Sequence, residues 1–254
     1  MNYKPFSNVL KGCLICTIAL AVLLVGCKKD DQTASTSFCH QTSVSVDYVS
    51  DTDNYQYQAT LTFNADGRLI KDGDAYTYEW SDHQLVQRNF YTGVLQNKST
   101  YTLDGAGRAI SETNVDQAQN LVFNRTFQYD ANGYLTSLSQ TGSFPHTETH
   151  EWVNGNLSKT IKTTPFGDVI TTTYEYDPQL VTPASYTLLP IFGKGSKNLM
   201  IQSASAYSFG GYWTTANVQY EMDQYGNVRR SIVKFVDTGV ASTLTTEYLY
   251  EGCQ

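Results

Sequence analysis

Three side chains with metal-binding chemistry, His146, Glu148 and His150, alternate along the run His146-Thr-Glu148-Thr-His150. On an extended strand that spacing puts all three on one face, and two imidazoles with a carboxylate could hold zinc if a fourth ligand came from elsewhere. The surrounding repeat argues for packing instead. His150 aligns with Tyr78, Tyr101, Phe127, Tyr174, Tyr220 and Tyr248, an aromatic position, and His146 follows Pro145 in a turn, so no metal site is expected. A second candidate is the glycine-flanked run Lys194-Gly-Ser196-Lys197-Asn198. It could receive an anion on backbone N–H groups, although it lacks the spacing of a phosphate-binding loop. Lys194, Lys197 and Asn198 are therefore candidate ligand-binding residues. Tyr207, Tyr212 and Trp213, around Gly210-Gly211, join them, because flat amphipathic rings outside the repeat suit a sugar or a peptide side chain.

The remaining carboxylates read as turn chemistry, since Asp66, Asp104, Asp130 and Asp223 fall where short polar side chains bond their own backbone. The chain contains no Gly-x-Ser-x-Gly, no His-Glu-x-x-His and no paired catalytic acids in a recognisable signature. The expectation is a binding or scaffold module that is not an enzyme and needs no cofactor. A hydrolase with an acidic site in a concave face is the rival reading. A membrane-spanning barrel is another, opposed by the charged Lys159, Lys162, Arg229, Arg230 and Lys234 on strand faces.

The elements that must position these residues are written in a repeat. Phe127-Gln-Tyr129-Asp130-Ala-Asn132-Gly133-Tyr134-Leu135 is an alternating strand end, a polar turn and a restart. Similar units run from Leu61 to Leu69, Tyr101 to Ile110, His150 to Leu157 and Tyr220 to Val228. Asn-Gly and Asp-Gly steps between alternating apolar runs signal hairpins whose two turn residues both take positive φ. The aromatic or apolar anchors Phe63, Trp80, Leu103, Tyr129, Trp152 and Tyr176 lie 17, 23, 26, 23 and 24 residues apart, one hairpin per repeat. The fold expected is all-β, an antiparallel meander of about 14 to 16 strands in a strongly curved or barrel-like sheet. A cylinder that wide needs a filler. The one long break, Pro178 to Thr215, supplies Leu188, Leu189, Ile191, Phe192, Leu199 and Met200, so a short helix or irregular segment near 186–200 is expected to cover the interior.

Ahead of the repeat, Lys4, Lys11 and an apolar run from Cys13 to Val25 read as a signal peptide. Leu24-Val-Gly-Cys27 resembles a bacterial lipobox, which makes Cys27 the lipid attachment site, residues 1–26 the signal, 27–38 a flexible tether and 39–254 a single β-repeat domain. Lys28-Lys-Asp-Asp31 looks like the charged export signals of some lipoproteins, placing the protein at the outer membrane, facing the periplasm or the cell surface. Removing residues 1–26 takes two lysines from 17 basic residues and none of the 24 acidic ones, leaving 15 − 24 = −9. An acidic body disfavours nucleic acid as a partner. The expected contacts are the membrane through the anchor and a glycan, peptide or envelope-protein ligand. Cys39 and Cys253 flank the folded region and are a candidate disulfide.

The units written Tyr-x-Tyr-Asp-x-x-Gly-x-Leu resemble the YD repeats of the RHS family, which implies curved β-shells. With its lipobox and its Phe192 to Leu199 interruption, the whole chain is similar to a family of bacterial lipoproteins of unknown function with a porin-like fold. The second resemblance implies fold and location, and neither supplies catalytic residues.

Overall fold

The repeated hairpins fold as sixteen antiparallel strands. The computed structural model describes residues 40–50, 54–183, 189–208, 213–237 and 240–251. In chain order the strands are β1 (His40–Ser50), β2 (Asn54–Phe63), β3 (Leu69–Asp72), β4 (Tyr76–Trp80), β5 (Gln84–Tyr91), β6 (Val94–Leu103), β7 (Ala109–Asp116) and β8 (Leu121–Tyr129). They continue as β9 (Leu135–Gly142), β10 (His146–Val153), β11 (Asn156–Thr163), β12 (Val169–Val181), β13 (Asn198–Tyr207), β14 (Trp213–Met222), β15 (Val228–Asp237) and β16 (Val240–Glu251). Strands adjacent in sequence are adjacent in the sheet, and β1 pairs with β16 from His40 opposite Glu251 to Ser50 opposite Ser242. The sheet is therefore a closed barrel, which leaves no unpaired edge.

The repeated turn explains its own residues. Asp104, Asp130 and Asp223 each accept, on one carboxylate oxygen at 2.8–2.9 Å, the backbone N–H groups two and four positions on. The glycine N–H closes back on the same aspartate's carbonyl, and Gly107, Gly133 and Gly226 alone in their turns take positive φ, at +78°, +88° and +81°. This is a type I turn followed by a left-handed residue and a bulge. The register slips beside each one, between Thr102 and Leu103, Gln128 and Tyr129, and Glu221 and Met222. The expected two-residue turn with consecutive positive φ occurs, among the described residues, only at Thr92-Gly93 and Asn154-Gly155. Elsewhere the side chain that opens the turn satisfies the donors of a longer loop, so Asn132 needs no left-handed backbone; in the 64–67 turn that residue is Asn64, whose Oδ1 accepts the N–H of Asp66, so Asp66 is not the turn's acceptor.

The aromatic residue ending an incoming strand ties neighbouring hairpins together. Trp80 Nε1 donates to Leu69 O and Trp152 Nε1 to Leu135 O, both at 2.7 Å. The Tyr129, Tyr220 and Tyr250 hydroxyls donate to Ala109 O, Met200 O and Val228 O at 2.8, 2.8 and 3.0 Å. In every case the acceptor lies on the preceding strand, so the ring body packs inward while its polar edge is satisfied.

At the end of the barrel where these turns lie, the inward residues are apolar. Leu61, Leu69, Leu85, Tyr101, Leu103 and Phe127 belong to one buried cluster, and Ile191 sits among them at 1% exposure. Ile191 comes from the segment between β12 and β13, which crosses that end. Its carbonyl accepts from Ala109 N–H at 2.6 Å, Lys194 N–H donates to Gly133 O at 2.9 Å, and Lys197 N–H donates to Gly155 O at 2.9 Å. Three successive turns therefore hold one strap. The Phe192 ring lies edge-on to Tyr101 at 6.0 Å and tilted to Phe127 at 5.5 Å.

The strap covers one end of the interior as an irregular segment, not as a helix; no helix occurs among the described residues, and Leu199 and Met200, expected in the cover, belong to β13. Its N–H and C=O groups bond sideways to the barrel turns, and Pro190, Gly193 and Gly195 oppose helical continuation. Gly193 has φ +81°, and a Cβ there would meet Gly133 O at 2.5 Å and the Tyr129 ring at 2.8 Å, so the strap is seated too closely for any side chain. Leu188 lies outside the described residues.

Candidate functional site

Away from the strap the inward face turns polar, and the register sets out a ladder of charged and amide side chains. Glu112 on β7 pairs with Arg125 on β8, Arg125 with Gln140 on β9, and Gln140 with His146 on β10. The Glu112 side chain is 2% exposed, a position tenable for a carboxylate only because its oxygens are met. Ser99 Oγ donates to it at 2.7 Å and Arg125 Nη1 at 3.2 Å. Arg125 Nε also donates to Gln140 Oε1 at 2.6 Å, and Gln140 Nε2 donates to the Ser143 and Phe144 carbonyls at 2.6 and 2.9 Å. This half of the ladder is satisfied internally and holds the loop before β10, where Phe144 has φ +51°.

The next strands continue the ladder. Glu148 on β10 faces Lys162 on β11, with Nζ 3.4 Å from Oε1, and His146 Nε2 lies 3.2 Å from the same oxygen. His146 Nδ1 is 2.9 Å from Phe144 O. Both ring nitrogens of His146 thus face acceptors. Burial alone would raise the Glu148 pKa. The His146 hydrogen bond and the charges of Lys162, His146 and His150 outweigh it, and the carboxyl is lowered to about 2. Burial lowers the pKa of His150, against the opposing pull of Glu148. His150 Nδ1 lies 3.1 Å from Thr160 Oγ1, which also accepts the Tyr174 hydroxyl at 3.3 Å.

At the end opposite the strap the inward side chains differ around the wall, buried on β14 and β15, where Ala216 and Phe235 are 1% and 8% exposed, and wet on β2. Tyr55 and Tyr57 on β2 share the inward face with the buried Ala59, yet they are 42% and 38% exposed. Tyr55 stacks on Tyr48 of β1 at 5.1 Å. The outer wall carries ion pairs, with Arg88 and Glu79 at 2.6 Å, Lys159 and Glu151 at 2.7 Å, and Glu221 against both Arg229 and Arg230. The barrel is a wall charged outside, apolar inside at the strapped end and along β14–β15, and polar inside along β7–β11.

Solved structures share this architecture. A porin-like protein from Bacteroides uniformis superposes with a TM-score of 0.61 at 20% identity, covering 83% of this chain and 98% of its own. A porin-like protein from Bacteroides vulgatus superposes with a TM-score of 0.60 at 13% identity, covering 84% and 99%. The fold is that of these porin-like barrels. No family model matches the chain, and no curated protein matches it.

The barrel separates the residues singled out from the sequence. His146, Glu148 and His150 do share the inward face, but Lys162 occupies the flank of Glu148 that a cation would need, and among the described residues no group of three or more His, Cys, Asp or Glu could hold a metal. The backbone N–H groups of Lys194 and Lys197 are committed to Gly133 and Gly155, so neither can receive an anion there, and the Lys194 ammonium lies over the Tyr134 ring at 5.6 Å. Asn198 is buried and structural, donating to Pro178 O at 3.2 Å and accepting from Asn156 Nδ2 at 3.1 Å. Tyr207 sits on β13 opposite Ile170, at the end away from the strap. Tyr212, the Trp213 side chain, Cys27, Cys39 and Cys253 lie outside the described residues. Glu112, Arg125 and Gln140 escaped notice in the sequence. Counting back by twos from Phe127 reaches Arg125, and that parity was the available signal.

Proposed function

We propose that this chain is a lipid-anchored envelope protein whose barrel serves as a one-ended binding cup, neither an enzyme nor a channel. The observation that carries the reading is the distribution of polarity. Ion pairs stud the outer wall on β4–β5, β10–β11 and β14–β15, where a membrane-spanning barrel needs a lipid-facing apolar band. The strap crosses one end, and the polar ladder lines the β7–β11 side of the interior beyond it. β1 starts at the strapped end, so a tether from Cys27 would meet the barrel there and leave the mouth facing away from the anchor. The description of the two structural neighbours as porin-like supports an envelope location.

The full chain added to planar bilayers should leave them electrically silent, and stepwise conductance would overturn the cup in favour of a pore. Metabolic labelling with palmitate should mark the parent and not Cys27→Ala. Label retained on Cys27→Ala would remove the anchor from the reading.

A further inference from the structure

Among the described residues five buried side-chain polar atoms lack a hydrogen-bond partner, on Gln41, His150, Thr182, Thr214 and Arg230, and the one on His150 stands beside a carboxylate of the inner wall. His150 Nε2 is buried without a hydrogen-bond partner, on a side chain 5% exposed. Since Thr160 occupies the other ring nitrogen, either tautomer leaves Nε2 as an unmatched donor or acceptor. Folded interiors seldom leave such an atom unmet, because its lost hydration goes uncompensated. Glu148 Oε2 stands 4.0 Å away, too far for a direct hydrogen bond and well placed for one oxygen to bridge the two. Lys162, on the far side of that carboxylate, remains 25% exposed and has protons to spare.

Resting on the cup reading, we infer that this corner of the inner wall binds a neutral polyhydroxylated ligand, a sugar, with one hydroxyl seated between His150 Nε2 and Glu148. A hydroxyl is the group that donates to a carboxylate while exchanging a second hydrogen bond with an imidazole nitrogen. The ligand carries no net charge because the fixed charges of this corner already pair one to one, Glu148 with Lys162 and Glu112 with Arg125. An ionic ligand would leave one of them unbalanced in a poorly solvated site. The opposite wall suits the same chemistry. β2 lies eight strands from β10 around the sixteen-strand cylinder, and Tyr55 on it, stacked on Tyr48, is 42% exposed at the mouth. Sugars offer hydroxyls at their edges and C–H groups on their faces, which these two walls match.

The test uses the acylated full chain in lipid nanodiscs, read by saturation-transfer NMR and calorimetry. The probes are glucose, galactose, N-acetylglucosamine and their β-linked disaccharides, with glucuronate and glycine as charged controls. At least one neutral probe is expected to bind saturably below about 20 mM, ahead of both controls. His150→Phe keeps the ring volume, removes Nε2 and should weaken that binding at least about tenfold; if it does not fold, Lys162→Met takes its place. No saturable neutral sugar, undiminished binding in the variant that folds, or a preference for glucuronate or glycine overturns the inference. None of these results bears on bilayer silence or palmitate labelling, so the sugar site and the cup fail separately.

Discussion

Ile191→Ala tests whether the strap is part of the core. The side chain is 1% exposed within the apolar end of the barrel, and its carbonyl is fixed by Ala109 N–H and lies 3.4 Å from the Tyr129 hydroxyl, so the backbone is poorly placed to collapse into a void. The substitution removes three carbons beyond Cβ, roughly 2.4 kcal/mol of transfer free energy at about 0.8 kcal/mol per group. The residual cavity adds to this, for a total of about 3 to 4 kcal/mol. For a barrel of this length each kcal/mol moves the midpoint by about 2–4 °C, so thermal unfolding followed by near-ultraviolet circular dichroism should show a drop on the order of 10 °C. Phe166→Ala is the control, because that ring is 91% exposed and its loss should cost under about 0.5 kcal/mol. If Ile191→Ala melts within about 2 °C of the parent, the strap does not close the barrel in solution.

Gly193→Ala and Gly226→Ala start from the same φ of +81°, but only at Gly193 would a Cβ strike backbone and ring atoms, while Gly226 has open space. Urea midpoints should put the Gly226 variant about 1 kcal/mol below the parent and the Gly193 variant at least about 2 kcal/mol below it; equal losses would refute the close seating of the strap. Glu148, lowered to about 2 from 4.5, contributes stability that is complete above about pH 4.5 and lost as pH falls toward about 2, on the order of 3 kcal/mol. Glu148→Gln should therefore flatten the acid limb between pH 5 and pH 3, and an acid limb of unchanged slope counts against the His146–Glu148–Lys162 network. Cys39 precedes His40 by one residue and Cys253 follows Glu251 by two, and His40 and Glu251 face each other across the closing ladder, so non-reduced, unfolded protein should titrate with neither thiol free. Two titrating thiols would rule the disulfide out.

What could be read from the sequence follows from how locally each feature is encoded. The hairpin period and the strand number were legible because alternation and the Asp-x-x-Gly turn each act over a few residues. The filler was legible from composition, since Leu189, Ile191 and Phe192 have no place in an alternating strand. Its conformation was not, because its hydrogen bonds run to Ala109, Gly133 and Gly155, far off in the chain. Asn198 looked like a loop ligand for the same reason, its partners Asn156, Pro178 and Leu180 being supplied by the fold. The polar inner wall was hidden because Glu112 and Lys162 inside are the same residue types as Glu151 and Lys159 outside, and only the register tells the faces apart. The histidines were found, but His146, read as a turn residue, opens β10 with both ring nitrogens facing acceptors, and His150, read as a packing residue, keeps Nε2 without a partner.

The closing ladder between β1 and β16 makes folding order asymmetric. Every other pairing joins strands consecutive in the chain and can form as that segment emerges, at low cost in loop closure. This one brings together residues about two hundred positions apart and has no partner until the final strand has been delivered. Until then β1 and the growing end of the sheet are both open edges, each able to recruit a strand from another molecule. A chain stalled or clipped before β16 would therefore be left with two sticky margins, on β1 and β15, and its expected fate is edge-to-edge association.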